Sequence, residues 1–149
     1  MIPETVDLPP EGFVLLPDRA ECEMFAGPYY LRGVDGVWSM GFRVHRRHLN
    51  RMGVCHGGMM ATFADALGTA IKRGTGLRVE TPTITLTVDY VAPVRAGAWV
   101  EATPHLVAQT RSLLTFDSMI HADGRSVARM NAIYRIVAGF GARSSGPRL

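Results

Sequence analysis

The chain has 149 residues, 47% of them hydrophobic and 19% charged, which suits one domain burying roughly 70% of the surface its unfolded chain would expose and excludes a disordered composition. A net charge of +3 and a pI of about 9.2 admit an anionic ligand, but no Lys/Arg block interleaved with aromatics points to nucleic acid, and no apolar run reaches the roughly 18 residues of a membrane span. Cys22 and Cys55 are the only cysteines; they form no CxxC and no ligand-spaced His/Cys group, so no metal site is expected and a reducing compartment, the cytoplasm, is read.

The opening MIPETVDLPPEGF is acidic and broken by Pro3, Pro9 and Pro10, without the basic and apolar regions of a signal peptide. Residues 1–27 are expected to be an arm and lead-in. PYYLRGVDGVWSMGFRV reads as a hairpin turning at Asp35-Gly36. From Gly58 to Arg73 the pattern changes: Met59, Met60, Phe63, Ala64, Leu67, Ala70 and Ile71 fall at helical spacing and cover most of the circumference, as in a buried helix. Lys72-Arg73-Gly74 supplies a basic last turn and a glycine stop.

TPTITLTVDYVAP alternates strictly, with Thr83, Thr85, Thr87 and Asp89 on one face and Ile84, Leu86, Val88 and Tyr90 on the other. AWVEATPHLVAQ, SLLTFDSMIHADG and RSVARMNAIYRIVA continue as strands, with a turn at Asp123-Gly124. GFGARSSGPRL reads as a flexible tail over 139–149. The expected architecture is α+β: an antiparallel sheet wrapped around one long central helix, spanning 28–138.

HLNRMGVCHGGMMATFADALGTA, residues 48–70, places chemistry on that helix. His56-Gly57-Gly58 stands at its start, where the first N–H groups lack helical partners and the dipole adds partial positive charge, a place for a developing oxyanion. Asp65 is the helix's single acid, among apolar groups, and a carboxylate shielded from water is a stronger base and nucleophile. Asn50 offers an amide to position water or a carbonyl. Asp65 lies about two helical turns, roughly 11 Å, from the helix start, too far for both to act within one subunit, which points to a dimer sharing its site.

The pattern His48-x-Asn50-x-x-Gly53-x-x-His56-Gly57-Gly58, followed by Asp65 and Gly68, resembles the hotdog-fold thioesterases, and most closely the PaaI-like acyl-CoA thioesterases of the 4-hydroxybenzoyl-CoA thioesterase superfamily. The likeness runs from about Pro28 to Val137 and includes Tyr90-Val91-Ala92-Pro93 and Gly97. It implies the hotdog fold and an acyl-CoA substrate, with no metal or bound cofactor. It also implies a homodimer, two of which pair into a homotetramer. By the same resemblance Asp65 is general base or nucleophile, Gly57 polarises the thioester carbonyl, and Asn50 orients water or that carbonyl. His56 shapes the loop or contacts the thioester, Gly58 helps bind substrate, and Thr83 holds the water. Arg111 is the candidate for CoA phosphates.

Plainer roles stand beside these. His56 fits a helix cap, Thr83 an ordinary strand residue, and Met59 and Met60 either core or acyl-pocket lining. Arg43, Arg46, Arg47 and Arg51 suit a solvated face. His45, His48, His105 and His121 lack metal-ligand spacing and read as surface or strand residues. Two rival functions share the fold: an acyl-thioester dehydratase or hydratase using His56 with Asp65, and a non-catalytic module that binds acyl-CoA.

Overall fold

The computed structural model describes residues 8–17 and 20–138. In chain order its elements are β1 (Val14–Leu15), α1 (Glu21–Ala26), β2 (Tyr30–Val34), β3 (Val37–Arg43), α2 (Gly57–Ala66), α3 (Gly68–Thr75), β4 (Thr83–Tyr90), β5 (Trp99–Ala102), β6 (His105–Gln109), β7 (Leu113–Ala122) and β8 (Arg125–Arg135). The strands form one antiparallel sheet in the order β1-β2-β3-β5-β7-β8-β4, with β6 also along β7. Both expected hairpins turn at their Asp-Gly pairs, where Asp35, Gly36, Asp123 and Gly124 all have positive φ, the backbone that matches a two-residue turn to the twist of its strands.

The central helix runs Gly57–Thr75 as α2 and α3, joined through Leu67, which stays right-handed at φ −61° and ψ −19°. It ends at the left-handed Gly76, two residues beyond the expected stop at Gly74. Thr75 holds the last turn by donating from Oγ1 to the Ile71 carbonyl at 3.0 Å. Met60, Phe63, Ala64, Leu67, Ala70 and Ile71 are buried on the sheet. The Phe63 ring lies 4.9 Å from Phe42 and 5.6 Å from Tyr29, and burial of one such side chain stabilises by roughly 2–3 kcal/mol. The hotdog architecture expected from the sequence is therefore present.

Two strand readings need correction. AWVEATPHLVAQ is not continuous: β5 ends at Ala102 and β6 starts at His105, both pairing with β7, because Pro104 has no N–H to carry the ladder. In β4 the strict alternation fails at its start. Thr83 pairs with Tyr134 and Thr85 with Ile133, leaving Ile84 as an extra residue. This bulge turns Thr83 away from the Thr85–Asp89 face and toward the helix.

β4 closes the sheet as an edge strand, with Ile84 56%, Tyr90 55% and Val91 62% exposed beside it. The lead-in expected over 1–27 carries two elements the sequence pattern does not reveal. β1 pairs with β2, and Phe13, Leu16 and Ala26 are buried. The first seven residues of the arm and the whole tail, 139–149, lie outside the described residues.

Candidate active site

The loop before the helix is braced by the motif residues themselves. His48 is fully buried, not a surface or strand residue as expected: its Nδ1 accepts from the His45 N–H at 3.0 Å, its ring packs edge-on to Phe42, and its carbonyl accepts from the His56 N–H at 2.7 Å. Asn50 uses Oδ1 to accept the N–H of Met52 at 2.9 Å and of Val54 at 3.3 Å. Gly53 adopts φ +73°, so that its N–H returns to the Asn50 carbonyl at 3.0 Å. Side-chain capping of a turn in this way is ordinary for Asn, and it leaves the amide Nδ2 as the donor end.

At the helix start the two glycines differ. His56 is the cap, its Nδ1 accepting the Gly58 N–H at 2.8 Å, so that donor is already used. The Gly57 N–H has no partner among the described residues. Tyr90 reaches across from β4 and donates to the Gly57 carbonyl at 2.5 Å. A Cβ at Gly57 would sit 3.3 Å from the Tyr90 hydroxyl oxygen. The aromatic thus fixes the peptide that follows the free donor.

Asp65 lies eight residues further along, about 12 Å on the helix axis. Its Oδ1 accepts from Thr83 Oγ1 at 2.7 Å and from the Tyr134 hydroxyl at 3.1 Å. Tyr134 also donates to the Asp65 main-chain carbonyl. In the single chain Asp65 is half-buried, not embedded as the apolar helix suggests, because β4 beside it is an open edge. Tyr134 is 4% exposed, stacked edge-on against Phe116 at 5.0 Å. Burial, then the neighbouring Asp65 carboxylate, push its phenol far above the ordinary tyrosine range, so it stays a neutral donor.

Sequence reasoning missed Tyr134. The available signal was Gly68, a glycine inside a helical pattern, which usually has a packing reason: a Cβ there would lie 2.9 Å from the Tyr134 Cζ. The structure therefore brings Asp65 and Thr83 together, and places Asn50, His56, Gly57 and Gly58 as a second group at the other end of the helix segment. Arg111 is exposed in the β6–β7 turn, at the sheet end where Leu114 and Thr83 flank Tyr134. One helical turn beyond Asp65, a cleft of about 570 Å³ is lined by Trp38, Thr69, Lys72, Arg73, Leu77 and Arg78. Among the described residues no group of three or more His, Cys, Asp and Glu could hold a metal ion, and no helix is long and apolar enough to cross a membrane.

The family model of the thioesterase superfamily matches residues 52–128, a span that takes in Gly57, Asp65, Thr83 and Arg111. The chain belongs to the thioesterase superfamily. It is accordingly a thioester hydrolase. Mouse acyl-coenzyme A thioesterase 13 is 27% identical over 71 residues, a matched segment that makes up 48% of this chain and 51% of the mouse protein. A mutant of the phenylacetic acid degradation protein PaaI from Thermus thermophilus superposes with a TM-score of 0.69 at 23% identity, over 79% of this chain and 100% of that one. The smu.793 protein of Streptococcus mutans, in a structure bound to acetyl CoA, superposes with a TM-score of 0.70 at 17% identity, over 83% and 95% of the two chains. These superpositions bear on the fold, and they make this superfamily member PaaI-like in architecture.

Proposed function

We propose that this thioesterase hydrolyses an aryl- or fatty-acyl-CoA to the free acid and CoA, at a site shared between two copies of the chain. The observation that carries the reading is the Asp65 carboxylate, fixed through Oδ1 by Thr83 at 2.7 Å and Tyr134 at 3.1 Å, with Oδ2 left for chemistry. In the reaction, water adds to the thioester carbonyl carbon, the C–S bond breaks, and the sulfur leaves as thiolate and takes up a proton. Asp65 either removes the proton from that water or attacks first to give a mixed anhydride that water then opens. The free Gly57 N–H receives the carbonyl oxygen as its charge develops, and the Asn50 amide orients the water or that oxygen.

The roughly 12 Å between Gly57 and Asp65 along one helix supports completion by a second copy, whose Asn50 and Gly57 would face this Asp65. The open β4 edge, with Ile84 and Val91 exposed, supports the same reading, since an unpaired apolar edge calls for a cover. Two such dimers then pair into a tetramer. For the CoA portion, the cleft that begins at Thr69 presents Lys72, Arg73 and Arg78 with no acid in its lining, and Arg111, exposed in the β6–β7 turn, is a further candidate for the CoA phosphates. Water is the sole co-substrate, and free Cys22 and Cys55 agree with a cytoplasmic protein. His56 is committed to its cap and lies nine residues from Asp65, which disfavours a His–Asp dehydratase pair within the subunit.

Thiol release from a panel of aryl- and fatty-acyl-CoAs, comparing wild type with Asp65→Asn, tests the reading. Turnover lost by at least about 100-fold in a variant that still folds and associates supports it. Equal turnover removes Asp65 from the chemistry, and binding without turnover favours the non-catalytic module.

A further inference from the structure

We infer that Tyr134, seated by Gly68, is a positioning residue that sets the rotamer of the Asp65 carboxylate; the inference rests on Asp65 being the reacting acid. The central helix is interrupted just after Asp65, where Ala66 ends α2 and Gly68 opens α3. At that break the Tyr134 hydroxyl donates to the Asp65 main-chain carbonyl. The same hydroxyl lies 3.1 Å from Asp65 Oδ1. One phenol thus touches the backbone and the side chain of one residue, which restrains the torsions between them. Thr83 and the Gly68 backbone N–H also approach the Tyr134 oxygen, and Thr83 holds Oδ1 from the strand side at 2.7 Å.

Both side-chain donors meet the same carboxylate oxygen. Oδ1 is therefore the anchored atom and Oδ2 the atom free to take a proton or attack carbon. The arrangement is built and not incidental. Tyr134 is 4% exposed and packed edge-on against Phe116, so its oxygen cannot swing away. Its ring occupies the volume that any side chain at position 68 would need, with Cζ 2.9 Å from an ideal Cβ there. A glycine inside a helix is otherwise unfavourable relative to alanine, and here it admits the ring. The bulge at Ile84 serves the same end from the other side, since it is what brings Thr83 to Oδ1.

The test is Tyr134→Phe, which keeps the ring and removes the hydroxyl, measured alone and in the Asp65→Asn background. With Thr83 still in place, kcat on the best acyl-CoA of the panel is expected to fall about tenfold, the low end for a hydrogen bond to a charged group. KM is expected to stay within twofold. In the Asp65→Asn background the same change is expected to alter the residual kcat by less than twofold, because a residue acting through Asp65 has nothing left to position. A packing role would lower both backgrounds equally and overturns the inference, as does a wild-type kcat in Tyr134→Phe. If Tyr134→Phe does not fold, 3-fluorotyrosine at position 134, nearly the same shape with a more acidic hydroxyl, replaces it; kcat must then change while KM does not, and an unchanged kcat overturns the inference. An Asp65→Asn variant with full turnover instead removes the functional reading itself, so the two failures are separable.

Discussion

Two alanine substitutions in one helix, six residues apart, are expected to change stability in opposite directions. Gly68 opens α3 and Gly74 lies near its end. Replacing a helical glycine by alanine gains up to about 1 kcal/mol in propensity, less at position 68 because it is the first residue of its segment. At Gly74 nothing opposes that gain: a Cβ would meet the Gly36 carbonyl oxygen at 3.6 Å and Trp38 Cδ1 at 3.7 Å, both ordinary contacts. At Gly68 the Cβ would meet Tyr134 Cζ at 2.9 Å and its hydroxyl oxygen at 3.0 Å, and the ring is held behind by Phe116. Overpacking of this kind costs about 1–3 kcal/mol, which exceeds the propensity gain. Gly68→Ala is thus expected to be less stable by about 1–2 kcal/mol, and at roughly 2–4 °C per kcal/mol its melting midpoint falls by about 2–8 °C. Gly74→Ala is expected to rise by about 1–4 °C by the same conversion. Calorimetry at one protein concentration, so that association does not move the midpoint, makes the comparison. A Gly68→Ala protein as stable as wild type, or the two variants shifting together, refutes the seating of Tyr134 described above.

The cap assignment of His56 predicts that His56→Ala loses about 1 kcal/mol in urea denaturation, while His56→Asn, a strong cap, recovers most of it. Cys55 is buried, and burial pushes its thiol up to about 11, whereas Cys22 is exposed. At pH 8 only about one part in a thousand of the Cys55 thiol is ionised, so a disulfide reagent is expected to titrate one thiol per native chain and two in denaturant; two fast thiols in the native protein contradict the burial. Ile84→Lys places a charge on the open β4 edge. Sedimentation velocity is expected to show smaller species and thiol release to fall with them, and a fully active monomer would end the shared-site reading.

The sequence pattern is most legible where one period or one turn chemistry acts alone. Asp35-Gly36 and Asp123-Gly124 specify their hairpins locally, and the spacing from Met59 to Ile71 announces a helix buried on most of its surface. The motif residues are legible as a group, but their division of labour is not. His56 and His48 read as interchangeable imidazoles, although one caps a helix and the other braces a loop from inside the core. Strict alternation puts Thr83 on the wrong face, because a bulge depends on register with β8, which no local pattern encodes. Tyr134 is invisible for a related reason: its significance lies in a contact with Gly68, which is 66 residues away. β1 has two residues and α1 six, too short for periodicity to show; they exist because Phe13, Leu16 and Ala26 find the core.

The bulge at Ile84 gives the strand a change of parity. From Thr85 onward β4 alternates in phase with β8, and before Ile84 it alternates in the opposite phase. Deleting that one residue would restore a single phase and still leave Thr83 beside Thr85, opposite Tyr134 on the helix face, whereas drawing Ile84 itself into the ladder opposite Tyr134 would rotate the Thr83 hydroxyl to the outer face, with the ladder from Thr85 to Tyr90 the same in both cases. Frame and chemistry are thereby separable along a single strand. The hydroxyl's grip on Asp65 depends on which residue stands opposite Tyr134, and not on the ladder from Thr85 to Tyr90 that carries the sheet.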